Sequence, residues 1–239
     1  MLNILVVNLN NIAYTNDCIN DLLNQNYSSF KITLVDQNSS ELGTKEYLDM
    51  LVSKFKQIDV VRNEVNTPLN HVWNWFYEKY DDEILCFLNN DVRISNNFVK
   101  DTIELFQKEN NVGIAVHSTN HPNFSEEIPE LRYEVMLNNI HMQGWDYAIR
   151  RDLFKPIPHA LRTYCGDDFI FQNVYDSGYK MAYILSSPII HYEGKSKEYL
   201  KENGMLDIHK FVDMGFKHHL KPNLNISLIK PTFKEIKRL

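Results

Sequence analysis

The residues of this chain best suited to chemistry are Asn89, Asn90 and Asp91, two amides and a carboxylate that follow the apolar run Ile84 to Leu88. An unbroken apolar run of that length reads as a strand buried on both faces of a mostly parallel sheet. Polar side chains just past the carboxyl end of such a strand sit where open α/β sheets bind ligands. A carboxylate flanked by amides can seat a divalent cation and the phosphates that it bridges. Alone, the three residues fit an ordinary turn equally well, because Asn and Asp favour turns. Asn8 and Asp36 close two other apolar runs in the same manner, so a single sheet would bring Asn8, Asp36 and Asp91 to one edge. Asp36 there could accept from a ribose hydroxyl or a base imide. Neither GxGxxG nor GxxxxGK[ST] occurs, so no glycine cradle is available for phosphates. A metal is then the economical way to neutralise a diphosphate, with Asp91 as its first ligand.

Two further stretches could complete such a site. Asp167 and Asp168 precede a run with helical periodicity, and the positive end of that helix stabilises carboxylates. They read either as plain helix caps or as a general base, since one carboxylate beside another can have its pKa raised. His191 ends the apolar strand of SSPIIHYEG. A lone histidine there is more often structural than a ligand, and it gains interest only if an anionic group lies nearby.

The elements that must position these groups follow from periodicity. Strands are expected at Leu2 to Val7, Lys31 to Val35, Ile58 to Val61, Ile84 to Leu88 and Val112 to Val116. Helices are expected between them: one with Ile19, Leu22 and Leu23 on a face and Thr15 or Asn16 as N-cap, one over Thr44 to Lys56, one striped by Leu69, Val72, Trp73, Phe76 and Tyr77, and one by Phe98, Val99, Ile103 and Phe106. Strands alternating with helices of this length imply βαβ crossovers. Residues 118 to 132 read as a covering loop. Tyr133 to Leu137 and Met142 to Ile149 read as strands of a different, antiparallel layer. Residues 167 to 177 form a helix, followed by short strands at Lys180 to Leu185 and Ile189 to His191, and the tail is helical to about Gly215.

The 239 residues suffice for one domain, or one domain with an appendage. The formal charge of −6 argues against a general nucleic-acid binder. Cys18, Cys86 and Cys165 lie far apart with no CxxC pair, so they read as buried hydrophobes in a reducing compartment. No apolar run reaches the roughly 18 residues of a membrane span, and the opening MLNILVVN is too short for a signal core. A soluble, cytoplasmic protein is expected.

Together the segments ILVVNLN, LVDQNSS, ILCFLNNDVRIS, QGWDYAIRRDLF and YCGDDFIFQNVYDSGYKMAYILSSPIIHYEG resemble, in order and spacing, the GT-A glycosyltransferases, in particular the inverting family 2-like enzymes. The resemblance covers about residues 1–195. It implies an α/β fold of the GT-A type, with a mostly parallel central sheet flanked by helices, a small antiparallel layer and a helical C-terminal appendage. Residues 1–117 would be the nucleotide-binding half, 118–195 the acceptor and catalytic half, and 196–239 a C-terminal helical extension.

By that resemblance Asn8, Asp36, Asn38, Asn63, Asn74 and Asn90 would bind the nucleotide. Asn89-Asn90-Asp91 looks like a DxD element, with Asp91, His191 and Asn89 as metal ligands for Mn²⁺ or Mg²⁺. Asp168 resembles the catalytic base of a Glu-Asp pair, with Asp167 in the glutamate's place. Gly144, Trp145 and Asp146 would shape the sugar and acceptor site, where an indole suits stacking on a pyranose. Asn89 replaces the first acid of DxD, which leaves fewer charges for the metal.

The implied activity is inverting transfer of a sugar from a nucleotide-diphosphate donor, a UDP-sugar first, to a hydroxyl of a glycan. Protein or hydroxylated nucleobase acceptors stay open, although the net charge does not favour a nucleic acid. The rival readings are a non-catalytic nucleotide-sugar or glycan-binding module on the same scaffold, and a sugar-phosphate nucleotidyltransferase. The second would need a glycine-rich basic N-terminal loop, and LVVNLNNIAYTN has no glycine or lysine.

Overall fold

A computed structural model describes residues 1–119, 128–136, 143–192 and 205–215. The parallel block forms as the periodicity implies. Strands β1 (Leu2–Asn8), β2 (Phe30–Asp36), β3 (Ile58–Arg62) and β4 (Ile84–Asn89) alternate with helices α1 (Ile12–Leu23), α2 (Thr44–Lys54) and α3 (Leu69–Lys79). Then come β5 (Val92–Ile94), α4 (Phe98–Lys108), β6 (Val112–Thr119), β7 (Tyr133–Met136), β8 (Asp146–Arg150), α5 (Gly166–Asp176), β9 (Lys180–His191) and α6 (Met205–Asp213). They build a nine-stranded sheet of order β3-β2-β1-β4-β8-β6-β9-β5, with β7 also paired to β9.

Alternation along the strands divides the core. Leu2, Ile4 and Val6 pack with Cys18, Ile19, Leu48, Phe98 and Phe106 from α1, α2 and α4. Leu5, Val35 and Phe87 pack with Val72, Trp73, Phe76, Phe171 and Phe211 from α3, α5 and α6. Both faces are thus covered, which is why β1, β2 and β4 carry apolar side chains on each face.

Several expectations are corrected. The antiparallel strands do not form a layer of their own: β8 is antiparallel to both β4 and β6 within the main sheet. It covers only Asp146–Arg150; residues 143–145 ahead of it are not strand, and Met142 lies outside the described residues. Helix α1 begins at Ile12 behind Asn11, whose φ is 55°. Thr15 caps nothing, because its hydroxyl donates to Asn8 Oδ1 at 2.7 Å. The two short strands expected after residue 180 are one, β9, with Pro188 inside it. The proline is tolerated because four residues of β9 stand against one of β6 between the pairs His117–Ile184 and Thr119–Ile189; in such a bulge its missing N–H costs no ladder bond. Strand β5 was not anticipated. Helix α6 falls in the stretch expected to be an appendage, yet its Phe211 is fully buried in the second core cluster. Residues 120–127, the ends at Leu137 and Met142, the tail before Met205, the His218-His219 pair and the basic residues from Lys221 lie outside the described residues.

Candidate active site

The topology sends every flagged segment to one edge. In the parallel register Asn8 pairs with Asp36, and Val7 with Asn89, so β1, β2 and β4 end together. β8 runs the other way and therefore enters at that edge, Asp146 opposite Leu88. β9 is parallel to β6 and arrives there with His191, which pairs with Val92 of β5.

Asn8 and Asp36 are buried there, at 1% and 6% exposure. Asn8 Nδ2 donates to Asp36 Oδ1 (2.7 Å) and Ser39 Oγ (3.0 Å). Ser39 donates to Asp36 through its hydroxyl (2.6 Å) and its N–H (3.2 Å). Thr15 takes a hydrogen bond from Asn90 Nδ2 at 2.9 Å. The network ties three strand ends together beneath the edge. The Asp91 turn is also anchored from outside: Arg93 makes a two-pronged pair with Asp21 of α1 at 2.6 and 2.9 Å. That pairing raises the Arg93 pKa above its ordinary value, chiefly through the hydrogen bonds to Asp21.

Asp91 and His191, flagged separately in the sequence, meet. Asp91 Oδ1 stands 3.3 Å from His191 Nε2, and it is buried without a hydrogen bond of good geometry among the described residues. The His191 ring stacks on Trp145, centroids 4.7 Å apart and 10° from parallel. One indole face is therefore taken by the imidazole rather than left for a sugar. A carboxylate oxygen and an imidazole nitrogen form a donor set suited to Mn²⁺. Among the described residues no third Asp, Glu, His or Cys joins them, so the other ligands of such an ion would come from phosphate and water.

Two clefts adjoin at this edge and share Leu69, Asn89, Thr163 and Tyr164. The first, about 400 Å³, runs from Gln37 and Thr67 past Tyr14 to Asn90, Asp91, Arg162 and Tyr192. The second, about 470 Å³, is walled by Trp73, Gln143, Gly144, Trp145, Asp167 and Tyr183. A larger cavity of about 710 Å³ opens around Met1, Ile84 and Arg150, at the opposite ends of the strands and away from all these groups.

At the start of α5, Asp167 packs on Gly144 so closely that a Cβ there would lie 2.0 Å from its Oδ2. Its charge adds to burial in holding the Tyr147 phenol well above its ordinary pKa. Asp168, the next residue of the first turn, is half-buried and lines neither cleft. Burial, then Asp168, then Asp167 push the Cys165 thiol up.

Other flagged residues have different duties. Asp146 is fully buried; it accepts from the His117 backbone N–H at 2.8 Å and stands 3.0 Å from His117 Nδ1. Burial raises its pKa despite those bonds. It braces β8 against β6 and reaches neither cleft. Asn74 exchanges two hydrogen bonds of 2.8 Å with the Ile157 backbone, so its amide is spent on chain architecture. Asn63 donates to Gln37 Oε1 at 2.8 Å and supports the wall from behind. Asn38 is exposed, with φ 60°, and lines no cleft.

Sequence reasoning missed Tyr14, Gln37, Thr67, Tyr192 and the segment Arg162-Thr163-Tyr164. Tyr164 opens the flagged YCGDDF without having been given a role, and Arg162 and Thr163 stand immediately before it, so that adjacency was the available signal.

The α/β sheet, with two joined clefts at its carboxyl edge, has the GT-A fold. Residues 3–170 match the model of glycosyl transferase family 2, and the chain belongs to that family. Solved structures of similar fold include GalNAc-T7 with UDP, GalNAc and Mn²⁺ (15% identity, TM-score 0.67, 82% of this chain and 44% of that one). Staphylococcus aureus TarS residues 1–349 gives 18% identity and a TM-score of 0.62 over 89% of this chain and 65% of that one. The Pyrobaculum calidifontis mannosyltransferase PcManGT with GDP-Man and Mn²⁺ gives 12% identity and a TM-score of 0.68 over 89% and 64%. The chain spans between 44% and 65% of the length of these three. No curated protein matches the sequence. Among the described residues no helix is long and apolar enough to cross a membrane.

Proposed function

We propose that this glycosyltransferase moves a sugar, with inversion, from a nucleotide-diphosphate donor to a hydroxyl acceptor, a UDP-sugar and a glycan being the first to test. The observation that carries the proposal is the junction of the two clefts at Asn89, Thr163 and Tyr164. A nucleoside diphosphate fits the first cleft, with its phosphates at Asp91 and its sugar passing Asn89 into the second. There an acceptor hydroxyl meets the acidic start of α5. The Asp167-Asp168 pair takes the acceptor proton as its oxygen attacks the anomeric carbon from the face opposite the leaving diphosphate. The resemblance to the Glu-Asp pair points to Asp168, which lines neither cleft, whereas Asp167 lines the second beside Gly144; substituting each in turn decides which of them is the base.

Asp91 and His191 would hold a divalent ion, which supplies positive charge for the departing diphosphate. GalNAc-T7 and PcManGT were each crystallised with Mn²⁺, and TarS has been crystallised with UDP-GlcNAc, which supports a metal and a nucleotide-sugar. The three buried, unbridged cysteines suit a reducing, cytoplasmic setting.

The test is a thermal-shift screen of UDP-, GDP- and dTDP-sugars with and without Mn²⁺. A metal-dependent shift with one nucleotide class, followed by donor turnover, is expected. Tight donor binding without hydrolysis or transfer would instead favour a non-catalytic binding module.

A further inference from the structure

Besides Phe211 in the core, helix α6 sends one buried carboxylate to the loop that precedes α5. Asp207 is buried (1% exposed), and its Oδ2 accepts from three successive backbone N–H groups: Arg162 at 3.1 Å, Thr163 at 2.8 Å and Tyr164 at 3.0 Å. The carbonyls of the same segment are held as well. The backbone N–H of Asn70 donates to Arg162 O at 3.0 Å. Asn70 Nδ2 donates to Leu161 O (3.2 Å) and Tyr164 O (3.1 Å), and Lys210 Nζ of α6 donates to Ala160 O (2.8 Å). A loop outside the regular elements thus has its backbone polar groups paired by two helices, which fixes its path.

What this loop presents is Arg162, Thr163 and Tyr164, all three in the wall of the first cleft and the last two also in the wall of the second. Arg162 is the one lysine or arginine among the described residues that line the first cleft. That cleft has no glycine cradle, and its metal-binding turn carries Asn89 where an acid would add charge. A planar guanidinium with five donors matches two phosphate oxygens at once.

Resting on the reading of this cleft as the donor site, we propose that Arg162 binds the donor diphosphate and that Asp207 of α6 is the residue that positions it. The C-terminal helix is then a working part of the donor site although it contributes no lining side chain.

The experiment measures affinity for UDP, and in parallel GDP, against uridine and guanosine by titration calorimetry with Mn²⁺ present. R162Q is expected to weaken the diphosphate that the wild type binds by tenfold or more, while the matching nucleoside binds within about twofold of wild type, since a charge-assisted bond is lost only to phosphate. D207N is expected to weaken the same diphosphate and to speed amide exchange at residues 162–164. The double variant R162Q/D207N should lose less than the product of the two single losses, because part of the effect of Asp207 runs through Arg162. Should D207N fail to fold, R162Q alone still decides the contact. A wild-type ratio of diphosphate to nucleoside affinity in R162Q would overturn the proposal while leaving the donor site intact. A folded wild-type protein that binds neither diphosphate would sink the donor-site reading, and this inference with it.

Discussion

Gly144→Ala isolates the contact on which the second cleft depends. A methyl group at residue 144 would lie 2.0 Å from Asp167 Oδ2 and 2.8 Å from its Cγ. Non-bonded carbon atoms rest at about 3.5–4.0 Å, so the carboxylate must retreat by roughly an ångström or more. Residue 144 has no positive φ, so alanine brings no backbone strain and the whole effect runs through Asp167. Overpacking of this kind costs about 1–3 kcal/mol, which for a chain of this size lowers Tm by about 2–12 °C. A displacement of ~1 Å beside the reacting groups costs on the order of 10²-fold in turnover.

The assay is donor hydrolysis by liquid chromatography, which needs no acceptor, together with nucleotide titration and a melting curve. Turnover should fall by about 10²-fold with nucleotide affinity kept, since Gly144 is not in the wall of the first cleft. Gly113→Ala is the control. Its Cβ would strike Leu153 Cδ1 and Val174 Cγ1 at 2.7 Å, under the sheet, so it should lower Tm while the folded enzyme keeps its specific activity. Wild-type turnover in Gly144→Ala would refute the reasoning. So would an equal loss in Gly113→Ala, because the effect would then be global destabilisation.

Asp168→Asn should cut turnover by about 10²–10⁴-fold with donor binding intact, whereas Asp167→Asn, which keeps the shape of the wall beside Gly144 and loses only the charge, should cut it less than Gly144→Ala does; the reverse pattern, read from the same hydrolysis assay, moves the base to Asp167. Asp91→Ala should abolish the Mn²⁺-dependent part of donor affinity, and a metal-independent affinity equal to wild type's full value would remove Asp91 as ligand. Cys18, Cys86 and Cys165 are buried, and burial is the largest cause of each raised thiol pKa; all three should resist iodoacetamide at pH 8 and react once unfolded, as mass spectrometry would show. Asn74→Ala strips both hydrogen bonds from the Ile157 backbone and should cost about 2–3 kcal/mol in chemical denaturation; a near-neutral change would mean that water replaces the amide.

The strand ends were legible because a buried parallel strand announces itself as an apolar run, and the first polar residue beyond it must lie at the ligand edge. The meeting of Asp91 with His191 needed more, namely that β9 run parallel to β6 and pair with β5. β5 itself has only three residues, too few for a periodicity signal, and exists because β9 supplies its partner. Asp146 was misplaced for a different reason. It is the first residue of a strand, and which face such a residue takes depends on strand parity, which its own type does not reveal. The role of Asp207 had no local signal at all, since its partners lie 43 to 45 residues away and are backbone groups common to every sequence.

That difference explains why some conspicuous polar residues, Asn8 and Asp36 among them, stand behind the cleft wall, while Asn89, Asn90, Asp91 and Asp167 are in it. Asn8, Asp36, Ser39, Thr15 and Asn90 spend their hydrogen bonds on one another, and a buried network so fully paired fixes geometry. Asp36 keeps a remnant of binding capacity. Its carboxylate has about four acceptor positions, and Asn8 and Ser39 occupy three of them, two on Oδ1 and one on Oδ2. A single further donor, such as a base imide N–H, can therefore be accepted, and only at Oδ2. Gln37, which lines the cleft, also keeps one position: its Oε1 takes Asn63 Nδ2 and the Thr67 N–H and one hydrogen of its Nε2 goes to Thr67 O, which leaves the second hydrogen of that amide. If the first cleft takes a nucleotide as proposed, its base would meet the shape given by Tyr14, Thr67 and Pro68. Asp36, 6% exposed and behind that wall, would add at most one acceptor position, so the affinity would come chiefly from the phosphate end of the cleft.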